Sequence, residues 1–285
     1  MRTTTTRALL FACAATVGCT SSGSEDAGAD LGVGTASVAM LKLERFQQDA
    51  HTPSRFLTHA KVARYSGIDA SSVLKLLGAE AREGEGCTVG SRLDTFPLAP
   101  EARVELLSIG DISLRSGDRA HTLSPRLFPD LASTASGWFY ASGEELAEVD
   151  GGVEHDEYAL AAAGHQGVGH FELSLSAPGA VTGLKFDGQA RGTLTRSADV
   201  ALSWEPEDMR DQLEIEIYAG STVLSCSLRD DGQFTLPAAK LALLESDPQA
   251  SMVVRRVLAL TVDMQGIDSA LVRFATTLTE QLAVR

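Results

Sequence analysis

Leu213-Glu214-Ile215-Glu216-Ile217 and, a few residues on, Leu224-Ser225-Cys226-Ser227-Leu228 are the most regular stretches of the chain. Every second residue is apolar, and the residues between are Glu or Ser. Successive side chains of a strand point to opposite faces, so a period of two predicts strands with one face on a core and one toward water. Asp230-Asp231-Gly232 follows and reads as a tight hairpin turn, with glycine supplying positive φ. Phe234 and Leu236 then point inward, Pro237 ends the strand, and residues 238–244 suit a short helical turn.

The same period extends in both directions. Upstream, Val200, Leu202 and Trp204 alternate with Ala201 and Ser203; downstream, residues 252–262 and 270–278 supply two more strands. Arg255-Arg256 breaks that alternation and predicts a bulge or a sheet edge. Residues 38–46, 56–65, 104–114, 137–140, 158–162 and 171–175 read as further strands, with a turn at Ser116-Gly117-Asp118. Residues 71–77 suit one short helix, capped by Ser71 or Ser72, with Val73, Leu76 and Leu77 toward the core. Strands every ten to fifteen residues with turn signals between them predict a mainly β protein built of sandwiches rather than βαβ units. Ser176-Ala177-Pro178-Gly179-Ala180 is the natural boundary. It divides residues 38–177, an N-terminal β domain, from residues 178–285, the size of one immunoglobulin- or fibronectin-III-like sandwich. Two β-sandwich-like domains are thus expected.

The N-terminus reads as an export signal. Arg2 and Arg7 precede an apolar run over residues 8–17 that is too short for the ~20 residues of a membrane-spanning helix. The run ends in Thr16-Val17-Gly18-Cys19, which resembles a bacterial lipobox, with Thr16 in place of the usual Leu or Val. The resemblance implies cleavage after residue 18 and lipid attachment at Cys19. Thr20-Ser21-Ser22-Gly23-Ser24-Glu25-Asp26 and the small residues that follow make residues 19–37 a flexible tether. The expected location is the cell envelope, with membrane contact through the N-terminal lipid. Thr20 is not the Asp of inner-membrane retention, which inclines the expectation toward the outer membrane.

A second resemblance rests on Ala201-Leu202-Ser203-Trp204, residues 213–217, and the run from Cys226 through Asp230-Asp231-Gly232 to Phe234-Thr235-Leu236-Pro237. A tryptophan strand, a cysteine strand, an acidic-glycine turn and a Phe-x-Leu-Pro segment in this order resemble uncharacterised myxobacterial-type envelope lipoproteins. That resemblance implies an Ig-like sandwich and no particular activity.

Composition limits the partners. The chain carries 24 basic and 38 acidic residues; losing Arg2 and Arg7 with the signal leaves 22 against 38, a charge of −16. Such a surface repels nucleic-acid phosphates and anionic lipid headgroups alike, so neither is an expected partner. Cys87 and Cys226 are the cysteines left after Cys13 is removed and Cys19 acylated. An oxidising compartment favours a disulfide between them, while the apolar strand face around Cys226 equally suits a buried free thiol.

Catalytic signals are weak. Ser72-Val73-Leu74-Lys75 matches an S-x-x-K element, but the chain contains no asparagine for the accompanying S-x-N and no K-T-G. Glu154-His155-Asp156-Glu157 with His165 and His170 lacks any recognised metal-ligand spacing, and Glu205-Pro206-Glu207-Asp208 reads as an acidic turn. No catalytic residue, metal or cofactor is assigned. Gly137-Trp138-Phe139-Tyr140 is the aromatic cluster, with Trp138 and Tyr140 on one strand face as a candidate glycan-stacking pair. The reading favours a non-enzymatic binding or structural protein whose partner is an envelope protein or a glycan. A glycan-binding module and a divergent envelope hydrolase are the alternatives.

Overall fold

The fold is seen in a computed structural model that describes residues 35–47, 55–79, 84–92, 101–117, 119–131, 135–142, 146–147, 157–165, 167–190, 193–207 and 211–285. The expected signal, Cys19, most of the tether and His155 lie outside the described residues. Within them the protein is mainly β, as expected, with eighteen strands and two short helices. The strands of the first half are β1 (Ala36–Phe46), β2 (Arg55–Ser66), β3 (Gly86–Ser91), β4 (Arg103–Leu106), β5 (Ile112–Ser116), β6 (Arg119–Leu131), β7 (Ala135–Ala141), β8 (Leu146–Ala147), β9 (Glu157–Ala162) and β10 (Phe171–Ser176). Those of the second are β11 (Lys185–Phe186), β12 (Thr193–Leu194), β13 (Val200–Ser203), β14 (Gln212–Ala219), β15 (Thr222–Arg229), β16 (Gln233–Leu236), β17 (Asp247–Met264) and β18 (Ile267–Val284). Helix α1 spans Ala70–Leu76 and α2 spans Ala238–Leu241.

One large mixed sheet runs in the order β10-β9-β5-β6-β7-β4-β2-β1-β18-β17-β14-β15-β3, and a second, smaller sheet in the order β11-β13-β16. At its centre the N-terminal strand β1 lies parallel to the C-terminal strand β18, with Leu41 opposite Val272 and Leu43 opposite Phe274. The hairpin β17–β18, eighteen residues in each arm, is the longest continuous feature.

The alternation seen in the sequence sorts side chains onto two faces. Leu213, Ile215 and Ile217 of β14 and Leu224, Cys226 and Leu228 of β15 are buried as expected, in a core shared with Val200, Leu202 and Leu236 of the small sheet. A separate core on the same face gathers Leu41 and Leu43, Ile112 and Leu114, Tyr158 and Leu160, and Phe274. There Phe56 stacks on Tyr158 with ring centroids 5.0 Å apart, and Phe274 packs edge-on to both. Burying a Leu, Ile or Phe side chain stabilises by roughly 1.5–3 kcal/mol, so these two clusters supply most of the driving force. A smaller cluster on the opposite face packs Val73 and Leu77 at α1 against Val38 and Met40 of β1.

Residues Val33–Arg285 form one compact unit. The segments on either side of residue 177 are tied together: β3 from the first is the edge strand of the sheet over the second core. The β17–β18 hairpin serves both cores, Met252 and Val254 packing in one and Leu258 and Leu260 against the other.

Three local expectations are corrected. Arg255-Arg256 is neither bulge nor edge: β17 is paired on both sides there, with Glu214–Arg255 and Arg255–Thr277 in unbroken register. The Asp230–Gly232 turn does carry positive φ at Gly232, but it does not close a hairpin. Strand β15 pairs with β14 and β3 while β16 pairs with β13, so the turn crosses from one sheet to the other. It is held there because the Asp230 carboxylate points inward, accepting from the Trp204 indole N–H at 2.6 Å. Finally, α1 is capped by Asp69 rather than by Ser71 or Ser72. Its carboxylate accepts from the Ser72 backbone N–H at 2.9 Å and from both serine hydroxyls, which makes it the better acceptor for the helix's free N–H groups.

Candidate functional site

Glu214 and Glu216 project from β14 on the face away from the core, the side expected to face water. Register places arginines there instead. Arg255 lies opposite Glu214 across β14–β17, and Arg273 lies opposite Lys42 across β18–β1. Together with Tyr218, Ala275 and Gly78 these residues line a solvent-open hollow of about 160 Å³ in the middle of the sheet.

Its charges satisfy one another. The Arg255 Nε donates to Glu44 Oε1 at 3.0 Å and its Nη1 to Glu216 Oε2 at 2.6 Å. Lys42 Nζ lies 3.0 Å from the other Glu44 oxygen, and the Thr277 hydroxyl donates to Glu44 at 2.8 Å. Tyr218 donates its hydroxyl to Glu216 at 2.7 Å, and Arg273 donates to Glu214 at 2.5 Å. Burial alone would raise the Glu44 pKa, but Lys42 and Arg255 outweigh it and hold the carboxyl at about 2. Burial disfavours the charged form of Arg255 as well, yet Glu216 and Glu44 outweigh it and raise its pKa above the ordinary value. Beside the hollow, His59 and Lys61 have lowered pKa values, first from burial and then from neighbouring cations, Lys42 among them. Lys42, Arg255 and Arg273 balance Glu44, Glu214 and Glu216 in charge. General acid catalysis at neutral pH needs a carboxyl pushed upward, toward 6 or 7. Glu44 is pushed the other way.

A second buried network occupies the core-side face between the two large cores. Arg256, 2 % exposed, reaches across to the chain segment that joins them. Its Nη1 donates to the Ala180 carbonyl at 2.7 Å and to Glu207 at 3.1 Å, and its Nη2 to the Glu205 carbonyl at 2.7 Å. Its Nε sits 2.7 Å from Asp230 Oδ2, an ion-pair contact without hydrogen-bond alignment. Nearby, Arg45 Nη2 and the Thr276 hydroxyl both donate to the Pro178 carbonyl. The residues read as a boundary are thus stapled to the sheet by buried donors. The acidic turn that includes Glu205 and Glu207 takes part, while Asp208 lies outside the described residues.

The residues singled out from sequence fall into different places. Cys87 and Cys226 stand directly opposite one another in β3 and β15 with sulfur atoms bonded at 2.04 Å, so the disulfide is formed. Trp138 is 43 % exposed, whereas Tyr140 is 3 % exposed and its hydroxyl accepts from the Ile109 N–H at 3.0 Å. They do not make a shared stacking surface. Trp138 has a different neighbour, Leu127 of β6, directly across the ladder and 65 % exposed. His165 bridges to Val168 in a turn ahead of β10. Among the described residues no three His, Cys, Asp or Glu side chains converge as metal ligands. The Ser72 hydroxyl is directed to Asp69.

Sequence reasoning overlooked both arginine networks. The available signal was the pair of charges set into an otherwise strand-like apolar run, which marks a position where burial must be balanced by a partner.

No protein-family model matches the chain, and a search of curated proteins finds no match either.

Proposed function

We propose that the protein is a lipid-anchored module of the bacterial cell envelope, most simply of the outer membrane, that binds or scaffolds rather than catalyses. In this reading Cys19 carries the lipid, residues 19–37 form the tether, and two β-sandwich-like halves form the exported body. The half after residue 178 is the immunoglobulin- or fibronectin-III-like one, as in the myxobacterial-type lipoproteins it resembles.

The supporting observation is the state of the buried acids. Glu44, Glu216 and Asp230 are the buried carboxylates among the described residues, and each is held against an arginine. Acids fixed in this way organise a sheet and its surface charge; they are poorly placed to shuttle protons, which weighs against the hydrolase alternative. The glycan alternative retains the exposed ring of Trp138, without Tyr140 as its companion.

The test is metabolic labelling of the full chain in a Gram-negative host with an alkyne-bearing palmitate, followed by membrane fractionation. Label and membrane retention are expected for the wild type and lost in Cys19→Ser. An unlabelled wild type, or a Cys19→Ser variant that keeps its label, overturns the anchor.

A further inference from the structure

Leu127 and Trp138 are two of the three exposed large hydrophobic side chains among the described residues, and they are cross-strand partners. Pro125, also exposed, lies two residues before Leu127 on the same strand face. The face continues inward to buried Tyr140 and Leu123, so its outer part is core-like surface left uncovered.

Its place in the sheet is informative. Ala36 pairs with Tyr65, Tyr65 with Val104, and Val104 with Ala135, so the start of β1 and the start of β7 lie in one row across four strands. Trp138 is three residues along β7 from that row. With neighbouring strands ~4.8 Å apart and ~3.3 Å of rise per residue, the indole lies roughly 18 Å from the point where the chain first joins the sheet. Cys19 is seventeen residues upstream of Ala36. A flexible tether of that length has a typical span of about 20–25 Å. A lipid at Cys19 therefore keeps the bilayer within reach of this corner of the sheet.

The nearby charges permit contact. Both signs are mixed here, Arg64, Arg103 and Arg126 standing near Glu105, Asp69 and Asp268, whereas the chain from Cys19 onward carries −16. Tryptophan favours the headgroup level of a membrane, where its ring is buried and its N–H stays hydrated.

We propose that Leu127 and Trp138 form a second membrane contact, inserting at the interface of the bilayer that holds the Cys19 lipid and so fixing the orientation of the β body on that surface. This rests on the anchor proposed above.

The test uses the lipidated full chain in phosphatidylcholine vesicles, with and without brominated acyl chains. Trp204, the other tryptophan, is 5 % exposed and bonded to Asp230, so it supplies a constant background in the wild type. Trp204→Phe removes that background where the variant folds. The expected result is loss of most Trp138 emission in brominated vesicles and a shift of that emission to the blue. Leu127→Ser should weaken both, with the circular dichroism spectrum unchanged. Trp138 emission that stays solvent-like, unquenched by brominated lipid and fully open to acrylamide, overturns the proposal. So does a response to soluble cell-wall glycan fragments without any to lipid, which would assign the ring to a sugar.

Vesicle flotation separates the two readings. Flotation lost in Cys19→Ser, with unquenched Trp138 in the wild type, sustains the anchor and removes the second contact. Undiminished flotation of Cys19→Ser with Trp138 quenched removes the anchor and leaves the contact standing by itself.

Discussion

Replacing Arg256 by Met should be among the most damaging single changes in the protein, and the structure shows why. The methionine keeps much of the volume but removes the contacts to four polar partners: two backbone carbonyls, at Ala180 and Glu205, and two carboxylates, Glu207 and Asp230. Glu207 is half exposed and can turn to water, so its loss is minor. Asp230 has no such exit. Its side chain is 0 % exposed and would keep only the Trp204 indole N–H and the Glu207 backbone N–H. Breaking a buried ion pair by removing one partner typically costs about 3–5 kcal/mol. At 2–4 °C per kcal/mol for a unit of this size, the melting temperature should fall by roughly 6–20 °C. The decisive comparison is Arg256→Met with Asp230→Asn in the same chain. Neutralising the stranded charge should recover a substantial part of the loss, giving a coupling energy of about 1–3 kcal/mol in a double-mutant cycle followed by thermal and urea denaturation. The reasoning fails if Arg256→Met costs under about 1 kcal/mol, or if the double variant loses the sum of the two single losses.

Three further outcomes follow from other contacts. The Glu44 carboxyl has its folded-state pKa depressed from 4.5 to about 2, so its ion pairs stabilise the fold fully above pH 4.5, and that contribution is lost as pH falls from 4.5 toward 2. It amounts to about 3 kcal/mol at most, and Glu44→Gln should flatten the acid limb of a stability–pH profile while leaving its neutral value lower. Replacing Cys87 and Cys226 together by Ser releases a cross-link between residues 139 apart. Chain entropy sets the upper limit of the resulting loss at about 5 kcal/mol, measurable as an earlier urea midpoint, and alkylation without reductant should modify neither cysteine in the wild type. Gly137 has φ of 122°, and a Cβ there would meet the Leu106 carbonyl oxygen at 2.0 Å. Gly137→Ala should therefore disrupt the β4–β7 pairing and cost at least about 2 kcal/mol, with amide exchange accelerated first in Arg103–Leu106. Unchanged exchange there would show that the two strands can part without loss.

Much of the second core was legible because β14 and β15 have one apolar and one polar face, a pattern that depends only on neighbouring residues. The pairing of strands was not, since β1 meets β18 from the far end of the chain and nothing local specifies that partner. The short β3 also escaped notice: Gly86-Cys87-Thr88-Val89-Gly90-Ser91 has too few apolar residues to read as a strand. It is fixed by its neighbour β15 and by the cross-link to Cys226. The hollow was not legible for a related reason. Charges at Glu44, Glu214, Glu216, Arg255 and Arg273 look solvent-facing one strand at a time, and their mutual neutralisation exists only once four strands are side by side. Trp138 was legible as an aromatic of interest, but its partner was not: Leu127 is eleven residues earlier and becomes adjacent only through the β6–β7 register.

The parallel contact between β1 and β18 also sets a timetable. During synthesis β1 must wait for β18, because the centre of the sheet lacks one side until residues 267–284 arrive. Contacts so distant along the chain form slowly, and the uncovered edge of β1 is exposed to wrong partners in the meantime. If the chain is exported, the whole of it must cross the membrane before the central sheet can close. A chaperone that holds extended chain on the far side would then matter more to this protein than to one of the same size whose ends fold independently, and a ribosome stalled a few dozen codons early would release a chain unable to complete its own middle.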